Sequence, residues 1–307
     1  MNKSKIEWCS YTWNPITGCY HDCEYCYAKG IAIRFGGMHV KDGDRTDSFG
    51  GRNYLCDCKG IHVLDERVKI KQNGRTTGRG VHLNDAPFPF GFEPTLHRYR
   101  LDAPAKVKIP QTIFVGGMAD VFGDWVPDEW ITEIFKACEA APWHRYLFLT
   151  KNPKRYTQDK IHNYGQIGTN SLHHKYPDNW WFGTTITNQK DLDRINHLPF
   201  YKNCYLSIEP LQEDLQLNSK ALRNTKYVKW VIVGAETGNR KGKIIPKREW
   251  IENIVNACKA AEVPVFLKNN LKDIWESCSG CGPSNNKACY GECRILIQEF
   301  PWGGDAT

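Results

Sequence analysis

Three cysteines stand close together near the start of the chain, at Cys19, Cys23 and Cys26. Their spacing, C-x3-C-x2-C, places three thiols in one short loop. Iron–sulfur clusters are normally held by four thiolates. A three-thiol loop therefore predicts a [4Fe–4S] cluster in which one iron has no protein ligand. In catalytic zinc sites, too, the protein leaves one coordination position open, and the chemistry takes place there. The alternatives are a zinc loop and three unrelated thiols, although zinc favours four ligands built from paired C-x2-C units.

A second group of cysteines near the C-terminus has the spacing C-x2-C-x7-C-x3-C: Cys278, Cys281, Cys289 and Cys293. Four thiolates in so short a stretch can surround one metal, and the glycines between them supply the turns. Zinc and an auxiliary [4Fe–4S] cluster are both chemically sensible there. Cys56 and Cys58 can join this set if the segment that holds them folds over the same end.

The composition indicates a cytoplasmic protein. The chain has 307 residues, of which 41% are hydrophobic, so a sizeable core is available. The sequence contains no run of about 18 apolar residues, so we expect no transmembrane helix. Residues 1–7 lack the apolar core of a signal peptide. Thirteen cysteines without an export signal favour a reducing compartment and metal binding over disulfides. The net charge, 41 − 34 = +7, fits an anionic partner and an ordinary basic enzyme equally well.

The fold class that the pattern predicts is α/β. A first strand candidate lies within residues 8–17, and six more follow at 112–116, 146–150, 181–185, 204–208, 228–234 and 263–268. Helical patterns begin at residue 27 and recur at 128–140, 188–198 and 246–261. Nearly continuous apolar strands that alternate with helices predict a mostly parallel sheet. We expect a partial (β/α) barrel of about six to seven units over residues 1–270, with a doubly wound open sheet as the alternative.

Two segments stand apart from this alternation. Residues 271–307 form the cysteine-rich tail, and residues 36–108 are rich in Gly and Arg with little helical periodicity. We expect the latter to be an insertion with its own small hairpin near the mouth of the barrel. Its cations, followed by aromatics, could bind single-stranded nucleic acid; a solvated loop over a small apolar cluster is the interpretation we favour. These cations are Arg67, Lys69, Lys71, Arg75 and Arg79.

Polar or small residues follow six consecutive strand candidates, where barrels and open α/β sheets place functional groups. This clustering predicts an enzyme. Carboxylates suit acid/base or substrate-orienting roles, lysines suit a carboxylate or phosphate, and Thr, Ser and Glu suit a ribose or carboxylate. The two glycines allow close approach of a ligand, or form a tight βα turn. For any single side chain, a helix cap or internal ion pair is the alternative. The residues are Gly116, Gly117, Asp120, Lys151, Thr185, Ser207, Glu209, Glu236 and Lys268.

The cysteine loop, with Tyr25 and Tyr27 beside its third cysteine, resembles that of the radical S-adenosylmethionine superfamily. The resemblance implies that the open iron binds S-adenosylmethionine and that an electron cleaves it to a 5′-deoxyadenosyl radical. It also implies a partial barrel and a reductant such as a flavodoxin or ferredoxin. Gly116 and Gly117 stand where the superfamily has a Gly-Gly-Glu segment that contacts the methionyl amino group. Met118 replaces the acid, so that role would fall to the backbone or to Asp120.

Four segments resemble a narrower, phage-associated radical S-adenosylmethionine-like family, whose members occur in phages, prophages and bacteria. They are Trp-Asn-Pro-Ile-Thr-Gly-Cys at 13–19, Leu-Thr-Lys-Asn-Pro at 149–153, Ser-Ile-Glu-Pro-Leu at 207–211 and Trp-Val-Ile-Val-Gly-Ala-Glu at 230–236. That family is similar in its core to spore photoproduct lyase, which implies a nucleotide or nucleic-acid base as substrate. Asn152 and Asn269 depart from its pattern, where Arg and Gln are expected.

Three functional hypotheses follow from these residues. The first is a radical S-adenosylmethionine enzyme with a nucleotide or nucleic-acid substrate. The second is a non-catalytic zinc- or cluster-binding protein that contacts nucleic acid through its cysteine-rich tail. The third is a hydrolase or lyase on the barrel with structural metal only. The polar strand ends argue against the second hypothesis, because a purely binding protein has no need of them.

Overall fold

The computed structural model describes residues 1–35, 60–71, 83–157, 176–199, 202–224, 227–276 and 294–304. Several residues singled out above lie outside these ranges. They are Cys56, Cys58, Arg75, Arg79, Cys278, Cys281, Cys289 and Cys293.

The chain builds short strands in its first third and an alternation of strands and helices after it. The strands are β1 (Asn2–Lys3), β2 (Tyr11–Trp13), β3 (Ile16–Thr17), β4 (His62–Leu64), β5 (Lys69–Lys71), β6 (Leu83–Asp85), β7 (Thr95–His97), β8 (Thr112–Val115), β9 (Arg145–Thr150), β10 (Trp180–Thr185), β11 (Asn203–Ile208), β12 (Val228–Val233) and β13 (Val265–Leu267). The α-helices are α1 (Tyr27–Phe35), α2 (Asp128–Glu139), α3 (Ser219–Asn224), α4 (Arg248–Ala260) and α5 (Lys272–Glu276). Short 3₁₀ helices include Gln189–His197.

Eight strands form one sheet in the order β1-β2-β8-β9-β10-β11-β12-β13. Every neighbouring pair from β2 onward is parallel, and β1 adds an antiparallel edge. The prediction of a mostly parallel sheet is therefore confirmed. The order runs with the sequence and contains no reversal of the kind that defines a doubly wound sheet. The first and last of these strands do not pair with each other, so the sheet is open, and a closed barrel is not formed.

Two predicted elements differ from those observed. The first strand candidate divides into β2 and β3, which belong to different sheets because Pro15 lies between them and cannot donate a ladder hydrogen bond. The helix expected at 188–198 is a 3₁₀ helix, and Asn188 caps it by accepting hydrogen bonds from the amides of Lys190 and Asp191.

The two faces of the sheet are packed differently. One face is covered by α2 and α4, whose buried side chains include Ile131, Ile134, Ile251 and Ile254. The other face, which we call the helix-free face, packs aromatic side chains against one another. These are Trp8, Phe114, Trp181, Tyr205, Trp230, Phe266, Phe300 and Trp302. The side chains of successive strand residues point to opposite faces of the sheet, so only every second residue of a strand can contribute its side chain to a site on the helix-free face.

The insertion contacts the main domain through a small sheet with the order β3-β7-β4. β3 enters the cysteine loop, so the insertion is paired directly with the segment that leads to the three thiols. The expected hairpin is present as the antiparallel pair β5 and β6. Arg67, from the basic run, is paired with Asp85 of that hairpin at 2.7 Å. No helix in the described ranges is long and apolar enough to span a membrane.

Two buried histidines make the fold sensitive to acid. His144 accepts a hydrogen bond from the Gln111 amide at Nδ1 and donates from Nε2 to the Pro104 carbonyl, an arrangement that fits only the neutral ring. Burial lowers the pKa of His144. Burial, and then the charge of Arg100, lower that of His97 well below its ordinary value.

Because both pKa values are lowered in the folded state, protons bind the unfolded chain preferentially. We expect the free energy of unfolding to be largest above about pH 6.5 and to fall as the pH decreases below it, by up to about 1.4 kcal/mol for each pH unit that a histidine pKa is lowered. Urea denaturation at pH 7.5 and pH 5 measures this. A His97→Gln/His144→Gln variant should lose less stability between the two pH values than the wild type; an equal loss would contradict the assignment.

Candidate active site at the carboxyl edge of the sheet

The cysteine loop lies at the edge where the parallel strands end. β2 runs parallel to β8, and the Gly18 amide donates to the Met118 carbonyl just beyond the end of β8 at 3.0 Å. The Cys19 amide donates to Phe92 of the insertion at 3.1 Å. The loop is thus held between the main sheet on one side and the insertion on the other.

The three thiols are free and partly buried. The Lys29 amide, in the first turn of α1, donates to Cys26 Sγ at 3.4 Å. Burial raises the pKa of Cys19 to about 12, so that binding a metal must displace its proton. The donors therefore fit an iron–sulfur cluster in type and spacing. As placed, no group of three or more His, Cys, Asp or Glu side chains in the described ranges converges on a single metal ion. The thiolates of a [4Fe–4S] cluster bind different irons, so its ligands need not meet at one point.

Asp120 ties the cysteine loop to two strand ends. Its carboxylate is buried and receives His21 Nε2 at 2.7 Å and the Lys151 amide at 3.0 Å on one oxygen, and the Phe122 amide at 3.0 Å on the other. Burial alone would raise the pKa of Asp120, but the hydrogen bond and charge of His21 hold it below its ordinary value. Both carboxylate oxygens of Asp120 therefore already accept hydrogen bonds, and the bond from His21 fixes the cysteine loop.

Lys151, at the end of β9, reaches the cysteine loop from the other direction. Its Nζ lies 5.4 Å from the centre of the Tyr25 ring. Burial alone would lower the pKa of Lys151, but Tyr25, Cys23 and Asp120 raise it above its ordinary value, so the side chain is a cation at neutral pH. A fixed cation beside the thiols can bind an anionic group of a ligand or stabilise negative charge on the loop.

Glu209 and Lys268 form an ion pair across the ends of three strands. Glu209 follows β11, Lys268 follows β13, and Gly234 follows β12 between them. A Cβ atom on Gly234 would stand 2.9 Å from Lys268 Cδ and 3.2 Å from Glu209 Cδ. The missing side chain therefore lets the pair cross the middle strand, and it places one cation and one anion on the helix-free face.

Glu236 is held by a two-pronged ion pair with Arg240, with Nε to Oε1 at 2.7 Å and Nη2 to Oε2 at 2.8 Å. The Arg240 hydrogen bonds hold the pKa of Glu236 below its ordinary value. Arg240 Nη1 also lies 3.4 Å from Glu24 Oε2 in the cysteine loop. Glu236 is therefore occupied as an anchor that ties the loop beyond β12 to the cysteine loop.

Gly116 and Gly117 form a turn, as one of the two sequence interpretations expects. The Ala119 amide donates to the Gly116 carbonyl at 3.0 Å, and Gly116 has φ +81°, where a side chain would also meet Val121 at 2.6 Å. The Gly117 carbonyl accepts the Tyr27 hydroxyl at 2.6 Å. A half-exposed tyrosine from the start of α1 thus reaches across to the end of β8.

Thr185 and Ser207 are buried at the ends of β10 and β11. They lie on the helix-free face, since each stands an even number of residues from an aromatic of that face, Trp181 and Tyr205. Gly116, Lys151, Glu209 and Lys268 follow the same alternation. The structure therefore brings these predicted residues to one face and one edge, whereas the Asp120 and Glu236 carboxylates are engaged in anchoring the cysteine loop.

Three residues of the site were missed by sequence reasoning. His21 and Arg240 anchor the cysteine loop as described, and the Asn14 side chain accepts the Met118 amide at 3.0 Å. The sequence offered a positional signal for His21, which lies inside the cysteine motif, and for Asn14, which lies in the segment 13–19, but none for Arg240. The side chains of the two departures from the family pattern have structural partners: Asn152 Nδ2 donates to Asp124 Oδ1 at 2.7 Å, and Asn269 Oδ1 accepts from Gln298 Nε2 at 3.1 Å.

Comparison of the sequence with known proteins identifies the family to which the chain belongs. Neither the curated proteins nor the solved structures contain a match to the chain. The sequence model of one family, described as "Protein of unknown function (DUF5131)", matches residues 3–279. This span takes in the cysteine loop, the insertion and the whole parallel sheet. The chain therefore belongs to the DUF5131 family of proteins of unknown function.

Proposed function

We propose that this chain is a radical S-adenosylmethionine enzyme whose [4Fe–4S] cluster is held by Cys19, Cys23 and Cys26. One observation carries the proposal: the three-thiol loop lies at the carboxyl edge of a sequentially ordered parallel sheet. That edge is where such sheets place their active sites. The strand order also supports the finer expectation of a partial (β/α) barrel of about six to seven units, with the helix-free face as its interior.

The cofactor pair would supply reductive cleavage of S-adenosylmethionine to a 5′-deoxyadenosyl radical, with the electron from a reductant such as a flavodoxin or ferredoxin. The chain supplies binding and orientation. Thr185 and Ser207 lie where they can hydrogen-bond a ribose or carboxylate, and the Glu209–Lys268 pair offers both charges at the same edge. The aromatic packing beneath them excludes water from the base of the site.

The structure suggests different roles for the two carboxylates that the sequence offered as acid/base groups. Asp120 and Glu236 act as positioning residues, because their carboxylate oxygens are already bonded. Asp120 is hydrogen-bonded to His21 of the cysteine loop, and Glu236 is paired with Arg240, which contacts that loop. The substrate we propose is a nucleotide or nucleic-acid base. The cationic side chains at this edge, among them Lys151 beside the Tyr25 ring, support an anionic substrate.

Anaerobic purification and reconstitution with iron and sulfide test the proposal. We expect a brown protein, and 5′-deoxyadenosine released from S-adenosylmethionine when dithionite is added. Zinc without iron after reconstitution would overturn the proposal and favour the non-catalytic zinc-binding alternative. A cluster that forms without any cleavage of S-adenosylmethionine would overturn the catalytic part and leave a cluster-binding protein.

A further inference from the structure

Residues 237–248 are strongly basic, and we call them the basic loop. They comprise the part of the β12–α4 connection that follows Glu236, together with the first residue of α4. The basic loop follows the carboxyl end of β12, so it lies at the same edge of the sheet as the cysteine loop. It contains no acidic residue. Its cations are Arg240, Lys241, Lys243, Lys247 and Arg248.

Two of these cations are neutralised inside the protein. Arg240 is paired with Glu236 and contacts Glu24, and Arg248 lies 3.2 Å from Glu252. The three lysines form no ion pair with any residue in the described part of the chain, and Lys243 Nζ donates only to the Gly238 carbonyl. Three lysines without an ion pair in the described ranges, all within seven residues, create a potential that attracts an extended anion.

The basic loop is joined to the cysteine loop through Arg240 and Glu24. On the cysteine-loop side, Tyr20 is 44% exposed and Tyr27 is 52% exposed. The hydroxyl of Tyr27 is fixed by the Gly117 carbonyl, so its ring is held in place while much of it remains open to solvent. The structure thus places lysines and exposed, preorganised aromatic rings at the same edge of the sheet. This combination can bind single strands through phosphate contacts and base stacking.

We propose that the basic loop and the exposed tyrosines of the cysteine loop form a binding surface for single-stranded nucleic acid. Backbone phosphates bind Lys241 and Lys243, and a base stacks on Tyr27, at the edge where Thr185, Ser207 and Lys268 lie. The role of the bound strand as a substrate rests on the proposed function, whereas the binding itself does not. The surface differs from the one that the sequence suggested, which was the basic run of the insertion; of that run, Arg67 is paired with Asp85.

An anionic lipid surface is the competing partner, since Ile244 and Ile245 of the basic loop are exposed between the lysines. The exposed tyrosines at the same edge of the sheet favour nucleic acid, because bases stack on aromatic rings and lipid headgroups do not. Vesicles that contain phosphatidylserine are therefore included in the experiment as a second probe.

The experiment measures binding of a labelled single-stranded oligonucleotide of about 20 nucleotides, longer than the site of one ordinary single-strand-binding domain, by fluorescence anisotropy at several salt concentrations. The test variant is Lys241→Glu/Lys243→Glu. The control is Lys108→Glu/Lys229→Glu, which makes the same change in net charge at the opposite, amino-terminal edge of the sheet. Both control lysines are exposed.

We expect the test variant to reduce the slope of log K against log salt by about 1.4, since each single-strand phosphate contact contributes about 0.7. The control should keep the wild-type slope. Tyr27→Ala should weaken binding about 5- to 150-fold without changing the slope, whereas Tyr27→Phe should retain most of the affinity.

Equal effects of the test and control variants would overturn the proposal, because net charge rather than the basic loop would then explain binding. Absence of oligonucleotide binding would also overturn it, and vesicle binding that depends on Lys241 and Lys243 would then assign the surface to a membrane. Iron content is measured on every variant. A protein that binds iron but no oligonucleotide contradicts only this inference, whereas one that binds oligonucleotide but no iron contradicts only the proposed function.

Discussion

Replacement of Cys19, Cys23 and Cys26 together by alanine is expected to abolish the [4Fe–4S] cluster that we propose. The reconstituted wild type should contain about four irons for one [4Fe–4S] cluster, or about eight if the tail holds a second cluster. The triple variant should lose about four of them, because it removes all three thiolates that we propose as ligands of that cluster. Iron and sulfide analysis, with the absorbance spectrum, measures the difference.

Two control variants separate this effect from a general loss of thiols. Cys258→Ala removes a thiol that is buried under the other face of the sheet, and it should leave the iron content unchanged. Replacing Cys278, Cys281, Cys289 and Cys293 by serine should remove any tail metal while the catalytic iron remains. Full iron content in the triple variant would refute the assignment of the cluster to the cysteine loop.

Gly18→Ala is expected to detach the cysteine loop from the insertion. Gly18 has φ +88°, and a Cβ atom there would stand 2.2 Å from the Glu93 carbonyl oxygen and 2.7 Å from that of Phe92. The left-handed backbone costs roughly 1–2 kcal/mol for a residue with a side chain, and the backbone clash adds about 1–3 kcal/mol. We expect the free energy of unfolding to fall by about 3 kcal/mol and the iron content to fall with it.

Two other glycines make matched controls for the urea denaturation that measures this. Gly91 has φ +62° and open space around the Cβ position, so Gly91→Ala should show the backbone cost alone, roughly 1–2 kcal/mol. Gly30 lies inside α1 with nothing near its Cβ position, so Gly30→Ala should stabilise the protein by about 0.5–1 kcal/mol. If Gly18→Ala costs no more than Gly91→Ala, the close packing of the cysteine loop on the insertion is wrong.

The positions of the candidate residues along the strands could be predicted because they depend on local patterns. Apolar runs such as 204–208 mark the buried strands, and polar residues such as Ser207 and Glu209 mark where they end. The two-residue alternation also fixes which of them share a face with Tyr205. The division of residues 8–17 into two strands was missed, although Pro15 was visible, because both halves are short and their partners lie far along the chain.

The sequence by itself determined the residue types of this site: three thiols at cluster spacing, and polar groups at the ends of strands that pattern and length identify. Only the tertiary structure decided which of these groups are occupied. His21 meets Asp120 across 99 positions, Lys268 meets Glu209 across 59, and Arg240 meets Glu24 across 216. Such contacts leave no local signal, because they form only when parallel strands bring distant chain segments to one edge. The packing of that edge makes Asp120 and Glu236 anchors and leaves the lysines of the basic loop without ion pairs in the described structure.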